Sequence, residues 1–344
     1  CLAIRLTAGS KAVLDFDIYT DWDDPDAKVV SLDTHTLSVK GKAREKRHSD
    51  GKSGIHYETR FRVVECDGTV KAGSQGLHIN GASEATILVV SNSVFRGRNP
   101  EVLCDEKLTA LSGKSYKQIR KSHVEDHQSL FSRVTLKLES ANLSLLPTDK
   151  RLKEISAGVE DPGLYSLFYQ YGRYLLIASS REDSPLPANL QGLWNDDFAC
   201  RMQWTCDFHL DINTQQNYWI AESGNLAECH EPLFRFIGNL VEPGRRTARM
   251  MYDAPGWVAH VVTNAWGFTA PGWGLGWGLH VTGGIWIGSH LWHHYEYAGD
   301  KEFLGEVAYP VMKEAAEFFA NYMVEDPRYG WLVTGPSLSP ENKF

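Results

Sequence analysis

Residues 161–180, DPGLYSLFYQYGRYLLIASS, decide the fold class of the second half of the chain. Apolar side chains recur there every three or four residues, which is the period of an α-helix. Asp161 stands where a helix N-cap is expected, and Pro162 stands at the first helical position, where its missing N–H costs nothing. The stretch predicts an amphipathic helix whose apolar face consists of Leu164, Leu167, Phe168, Tyr171, Leu175 and Ala178.

Further helical patterns follow at residues 231–253, 283–300 and 305–326. Between them lie long loops rich in glycine, proline and tryptophan, at 187–197 and 264–284. Loops of that length inside a compact domain usually carry function. Paired helices joined by long aromatic loops predict an α/α toroid with a pocket built from loops at one end.

The first part of the chain has a different period. Residues 55–64, IHYETRFRVV, alternate between apolar and polar side chains, which predicts a half-buried antiparallel strand. Similar short runs occur at 12–20, 36–44, 85–92 and 133–140, and residues 115–134 have a helical pattern. Several short strands with polar turns between them predict a β-sandwich ahead of the helices.

Composition and charge exclude several classes of protein. The formal net charge is −8, without a basic block, which argues against nucleic acid as a partner. No run of about 18 apolar residues occurs, so no membrane span is expected. His123 and His127 are four apart on a predicted helix and lack an evident third ligand, and His290, His293 and His294 look similar. In both cases packed or surface histidines are favoured over metal ligands. No metal or organic cofactor is predicted.

Tryptophan is concentrated in the second half. Trp22 is the only one before residue 190, and the other ten lie between Trp194 and Trp331. Any single tryptophan is more often a core residue than a ligand contact. Ten of them, many beside glycine or proline, favour a sugar-binding cleft, because the C–H face of a sugar stacks on an indole ring while its hydroxyls need fixed amides and carboxylates.

The densest polar run is DFHLDINTQQNYW, at residues 207–219. In extended backbone Asp211 and Asn213 would point the same way and could hold one water molecule. Glu341, in GPSLSPENKF, follows two prolines that fix a tight loop, where a general acid could be placed rigidly. Plain alternatives stay open, since the first run could be a hydrogen-bonded loop and Ser-Pro-Glu is also an ordinary helix start. His260 lies in a tryptophan-rich loop and could touch a substrate.

Several of these segments together resemble glycoside hydrolase family 95. They are residues 164–183, 186–196, 209–233 (HLDINTQQNYWIAESGNLAECHEPL), 260–272 (HVVTNAWGFTAPG) and 332–344 (LVTGPSLSPENKF). That family comprises α-L-fucosidases acting on α-1,2-linked fucose, with some α-L-galactosidases. The resemblance implies hydrolysis with inversion, in which a glutamate protonates the leaving oxygen. Water, held by an Asn-x-Asn pair and a remote aspartate, attacks the opposite face.

Matching the motifs residue by residue implies roles for several positions. Glu341 resembles the general acid, Asn213 the second asparagine of the pair, and His209 a substrate contact. The first asparagine of the pair is Asp211 here, which leads to the hypothesis that this carboxylate takes over part of the base role. The remote aspartate is expected beyond residue 344. Further expected substrate contacts are Trp194, Asn195, His260 and Trp266.

The resemblance also implies a domain plan: a partial β-sandwich at 1–95, a helical linker at 96–155, and the first part of an (α/α)6 toroid at 156–344. The chain is then expected to be a fragment truncated at both ends. The expected partner is a fucosylated oligosaccharide or glycan, the expected location extracellular or periplasmic, and the expected state a monomer or homodimer. An α-L-galactosidase of the same fold and a catalytically impaired sugar-binding remnant are the alternatives.

Overall fold

The structure, a computed structural model, describes residues 1–9, 13–21, 26–44, 50–138, 142–194 and 206–340. The chain divides into two compact units, Cys1–Asp126 and His127–Phe344, and the division falls within one helix. The first unit is built mainly from antiparallel strands and the second mainly from helices.

Within its described residues, the first unit contains two antiparallel sheets. One has the strand order β1-β8-β5-β4-β3, and the other has the order β2-β7-β6. The strands are β1 (Leu2–Thr7), β2 (Leu14–Tyr19), β3 (Lys28–Ser31), β4 (Thr36–Arg44), β5 (Gly54–Cys66), β6 (Thr69–Ala72), β7 (Gly76–Ala82) and β8 (Glu84–Ser93). Leu37 and Val63 of the first sheet and Leu77 and Ile79 of the second belong to one buried apolar cluster.

Strand β5 confirms one part of the prediction made from the period-two pattern and contradicts another. Phe61 and Val63 face the shared apolar cluster, as the alternation predicts. The middle of the polar side is buried as well, because helix α1 (Pro100–Ala110) packs on β5 and β8, whereas His56 on that side is exposed. Glu58 is 1% exposed and pairs with Arg60, with 2.6 Å between Oε1 and Nε. The prediction of a half-buried strand was therefore wrong in that respect.

The predicted strand at 133–140 is also wrong, because the described residues 134–138 form no strand and 139–140 lie outside the described residues. The backbone of this segment is bonded to side chains of a helix instead. The amide of Leu138 donates to Oγ of Ser166 at 3.0 Å, and the carbonyl of Val134 accepts from Gln170 and Arg173. Those bonds replace the ladder that a strand would need.

The predicted helices are confirmed. Beyond α1, the structure has α2 (Tyr116–Phe131), α3 (Thr148–Ser156), α4 (Pro162–Ser179), α5 (Asn213–Tyr218), α6 (Ile220–Ser223), α7 (Glu231–Tyr252), α8 (Leu275–Gly278), α9 (Gly283–Ala298), α10 (Lys301–Phe303) and α11 (Tyr309–Tyr322). Short strand pairs join β9 (Phe208–His209) to β10 (Val262–Thr263) and β11 (Val324–Glu325) to β12 (Leu332–Val333). No helix in the described ranges is long and apolar enough to cross a membrane.

Helix α4 begins as predicted but buries a different face. Asp161 caps it by accepting from the amide of Leu164 at 3.2 Å. The predicted apolar face is wrong: Leu167 and Phe168 are exposed, the latter by 78%. The buried face instead contains Arg173, whose guanidinium donates to the carbonyls of Leu130, Phe131, Val134 and Gly224. A buried guanidinium needs several acceptors. The face of α4 that carries Arg173 therefore lies against these four carbonyls.

The helical unit is held together by one large apolar cluster. It draws buried side chains from α4, α5, α7 and α9, including Leu176, Tyr218, Ile237 and Ile287. Phe208 of β9 joins this cluster and packs on Phe236 of α7, with 4.5 Å between ring centroids. The β9–β10 pair is therefore packed into the core, which fixes the position of the polar residues beside it.

Candidate active site

The polar run at 207–219 folds as a short strand, a turn and a helix. His209 pairs with Val262 across β9 and β10, and the amide of Leu210 donates to the carbonyl of Val261 at 2.7 Å. The chain then turns through residues 210–212, and Asn213 opens α5. The assumption that Asp211 and Asn213 share one extended strand is wrong, because the side chain of Gln215 donates to the carbonyl of Leu210 at 2.8 Å and folds the turn back.

Two carboxylates bracket the imidazole of His209, which is only 6% exposed. Nε2 lies 2.8 Å from Oδ1 of Asp207, and Nδ1 lies 3.9 Å from Oδ1 of Asp211. The 2.8 Å contact has the length of a hydrogen bond without its angles. The edge of the ring meets the indole of Trp273, with 5.2 Å between centroids. We refer to Asp207, His209 and Asp211 as the His209 cluster.

Buried polar atoms without a hydrogen-bond partner gather around this cluster. Among the described residues of the helical unit, every such side-chain atom belongs to residues 207–277. They include Oγ1 of Thr263, Oε1 of Gln215 and Nε1 of Trp277, besides Nε2 of His209. Leaving such a group unpaired costs about 1–3 kcal/mol, so a concentration of them in a folded protein requires an explanation. Hydroxyl groups of a bound sugar would satisfy both donors and acceptors of this kind.

The remaining predicted site residues differ in how far the structure exposes or describes them. Trp194 and Trp266 are 43% and 72% exposed, so their rings are open to a ligand. Gly192 has φ +70°, and a side chain there would collide with the ring of Trp194, so this glycine lets the indole fold over the loop. Glu341 and Asn195 lie outside the described residues.

His260 is placed inside the core. Its Nδ1 lies 2.6 Å from the carbonyl of Thr269 and its Nε2 lies 2.6 Å from the hydroxyl of Tyr252. Burial lowers the pKa of His260 to about 4, so the ring is neutral at pH 7, with Nδ1–H donating to Thr269 and Nε2 accepting from Tyr252. Both ring nitrogens are occupied, and this geometry does not support the predicted contact with substrate.

A second group of titratable residues lies between α6, α7 and α9, and we call it the Glu222 cluster. Oε1 of Glu222 lies 2.8 Å from Nδ1 of both His230 and His294, and Nε2 of His230 lies 2.9 Å from Nδ1 of His290. Burial lowers the pKa of His230, and it lowers that of His290 to about 3. In the described part of the chain no group of three or more His, Cys, Asp and Glu is arranged to hold a metal ion.

Sequence reasoning missed four residues of the site. Asp207 was in the polar run but received no role, although its position two residues before His209 on a strand would have placed both on one side. Thr263, Trp273 and Trp277 come next to the cluster only through the β9–β10 pairing and the loop after it. No local pattern could have identified that long-range contact.

Comparison with known proteins finds a family match for each part of the chain. Residues 115–344 match the glycosyl hydrolase family 95 catalytic domain, and residues 1–98 match the glycosyl hydrolase family 65 N-terminal domain. An alpha-L-fucosidase 2 from Arabidopsis thaliana is 36% identical over 86% of this chain and 36% of its own length. A probable alpha-fucosidase A from Aspergillus niger is 36% identical over 76% of this chain and 32% of its own length. The chain spans about a third of the length of these curated relatives.

A solved structure shares the fold. A putative kojibiose phosphorylase from the human microbiome superposes with a TM-score of 0.65 over 94% of this chain and 41% of its own, at 11% identity. At that identity the likeness concerns the fold alone, an antiparallel sheet region followed by helices. The family match covers the whole β9–α5 turn, the Trp273 loop and the helices beneath them, and on that basis the chain belongs to glycosyl hydrolase family 95.

Proposed function

We propose that the protein is an α-L-fucosidase that hydrolyses terminal α-1,2-linked L-fucose from oligosaccharides or glycans with inversion at the anomeric carbon. The observation that carries the proposal is the concentration of unpartnered buried polar atoms around His209, beside exposed and half-buried tryptophans. A monosaccharide offers hydroxyls for the first and a C–H face for the second. The two relatives with fucosidase names support fucose as the sugar.

The proposed mechanism assigns each residue one task. Glu341 protonates the leaving oxygen, while Asp211 and Asn213 hold the attacking water on the opposite face of the sugar. In inverting enzymes the acid and the base lie about 6.5–9.5 Å apart so that this water fits between. Asp211 takes part of the base role, because it places a carboxylate where the family pattern has an amide. His209, Trp194, Asn195 and Trp266 contact the sugar.

The proposed architecture follows the same family. The helical unit is the first part of an (α/α)6 toroid, and the two sheets of the first unit form a β-sandwich ahead of it. A glycan substrate points to an extracellular or periplasmic location.

Proton NMR of the protein with 2′-fucosyllactose tests the proposal. The β-anomer of L-fucose should appear first, before mutarotation mixes the anomers, and a Glu341→Gln variant should produce it about 10²–10⁴-fold more slowly. Release of the α-anomer first would contradict inversion. No release from this or from an aryl α-L-fucoside would contradict the fucosidase assignment.

A sugar-binding protein without turnover is the second candidate, and Asp211 in place of the family's first asparagine favours it. Titration with fucosyllactose separates the two, since binding without product supports only this candidate. An Asp211→Asn variant tests the base role: loss of activity supports it, and activity equal to that of the parent protein contradicts it.

A further inference from the structure

We propose that Asp207 is a positioning residue that acts through His209, keeping the imidazole proton on Nε2 so that Nδ1 and Asp211 together hold the attacking water. The proposal rests on the function proposed above and adds to it a residue outside the family motif. It also gives His209 a task beyond contact with the sugar.

The first step of the argument is the contact between Asp207 and His209. Oδ1 of Asp207 lies 2.8 Å from Nε2, and both atoms lack any other hydrogen-bond partner. A carboxylate only accepts hydrogen bonds, so the nitrogen facing it carries the proton. The angles of this contact fall outside those of a hydrogen bond, and hydrogen bonds in active sites commonly align only when substrate binds. A small rotation of the carboxyl group suffices at this distance.

The second step concerns the other ring nitrogen. With the proton on Nε2, a neutral imidazole has an acceptor at Nδ1, which lies 3.9 Å from Oδ1 of Asp211. Two acceptors at that separation can both be reached by one water molecule at about 2.8 Å from each. Such a water donates both of its hydrogens to the protein, and an oxygen lone pair remains free for attack.

The third step is the proton balance. The water oxygen forms a bond to the anomeric carbon while the bond between that carbon and the glycosidic oxygen breaks. The water gives one proton to the His209–Asp211 pair, and Glu341 gives one to the leaving oxygen. Exchange with solvent restores both groups. If the imidazole takes the proton, its positive charge lies between two carboxylates, which stabilises it.

The surroundings point to a ligand site rather than to a purely structural ion pair. Thr263 and Gln215 are 1% and 0% exposed, and Oγ1 of the first and Oε1 of the second have no hydrogen-bond partner. Buried polar groups in a structural network are normally satisfied by one another. The indole of Trp273 packs edge-on with the ring of His209, which restricts rotation of the imidazole.

The test compares Asp207→Asn, Asp207→Glu and a matched control. Asp17→Asn serves as the control because it removes another aspartate–histidine contact, to His78 in the first unit, which is exposed. For Asp207→Asn we expect kcat on a fucoside to fall about 10²–10⁴-fold with KM changed less than about threefold, since the loss falls on the reacting water. Asp207→Glu, which keeps the charge, should recover about tenfold or more of that loss. Asp17→Asn should leave both constants unchanged.

A second readout does not depend on turnover. Nitrogen-15 NMR of the imidazoles, with His209 assigned by the signal that disappears in His209→Gln, reports which nitrogen carries the proton. We expect Nε2–H in the parent protein and a smaller or reversed preference in Asp207→Asn. A proton on Nδ1 in the parent protein overturns the inference.

The outcomes separate the inference from the proposed function. An active parent protein whose Asp207→Asn variant keeps its kcat overturns the inference alone. A parent protein without activity on fucosides overturns the proposed function, and the NMR result then still decides the role of Asp207. If Asp207→Asn lowers kcat, changes KM and lowers thermal stability together, and glutamate does not rescue it, the role of Asp207 is merely structural.

Discussion

Two buried clusters of histidine and carboxylate lie in the helical unit and differ in their hydrogen bonding. In the Glu222 cluster, the hydrogen bonds of the carboxylate and three imidazoles connect within the cluster, at 2.8–2.9 Å. In the His209 cluster, the contacts are misaligned or longer, and Nε2 of His209 has no hydrogen-bond partner. Both clusters combine carboxylate with imidazole, one carboxylate with three histidines in the first and two carboxylates with one histidine in the second, and their hydrogen bonding differs.

The difference indicates which of the two we expect to bind a ligand. A connected buried network stabilises the fold and leaves little for a substrate to bind. A buried cluster with unmet hydrogen bonds costs stability in the free protein, and binding sites commonly carry such a cost. We therefore expect substitutions in the two clusters to have opposite effects on activity and on stability.

The largest effect on activity is expected from His209→Gln. Removing the imidazole should lower kcat/KM on a fucoside about 10²–10⁴-fold, the usual contribution of a group that handles a proton. Thermal stability should change little, because Nε2 of His209 makes no hydrogen bond that the substitution would remove. Fucose release and thermal denaturation of the same preparation measure the two quantities. A sharp fall in stability would show that the His209 cluster is structural after all.

The Glu222 cluster should respond in the opposite way. Glu222→Ala leaves two buried imidazoles without their acceptor, and we expect the free energy of unfolding to fall by about 3–5 kcal/mol. Urea denaturation measures this loss. At low temperature the folded fraction should keep its specific activity, because none of these residues faces the proposed substrate. Loss of activity in folded Glu222→Ala would remove the distinction between the clusters.

The sequence predicted local elements well because their causes are local. Strand β4 occupies Thr36–Arg44, the run chosen from its alternation, and Asp161 caps α4. The buried face of α4 was not predictable, since it depends on carbonyls that Leu130 and Gly224 bring to Arg173 from other segments. The candidate site likewise combines residues close in sequence with residues brought in from elsewhere. His209 and Asp211 are two residues apart in sequence, whereas Thr263 and Trp273 come close through a strand pair and the loop after it, which no local pattern encodes.

His260 shows the converse error. Its position in a loop rich in glycine and tryptophan suggested exposure, and such loops usually lie on the surface. Here the backbone turns inward, so that the ring bonds Thr269 and Tyr252. Loop composition therefore indicated exposure at a position where the structure buries the side chain.

The smallest expected effect is a change in how stability depends on pH. His290 has a pKa of about 3 in the folded protein, compared with 6.5 for an unburied histidine, because burial disfavours the charged ring. The unfolded chain then binds a proton that the folded chain does not. The contribution of this group to the free energy of unfolding is fully present above pH 6.5. It is lost as the pH falls toward 3, by about 1.4 kcal/mol per pH unit for each such group.

His260, with a pKa of about 4, acts in the same direction over a narrower range. Urea denaturation at pH 7, 6, 5.5 and 5 should show the free energy of unfolding falling with acid, and His290→Asn should reduce that slope by about 1.4 kcal/mol per pH unit. His123→Asn, on an exposed face of α2, is the matched control and should keep the slope of the parent protein. An unchanged slope in His290→Asn would mean that the ring is charged inside the fold. The Glu222 cluster would then bury an imidazolium as well as its carboxylate, and charge as well as hydrogen bonding would enter its contrast with the His209 cluster.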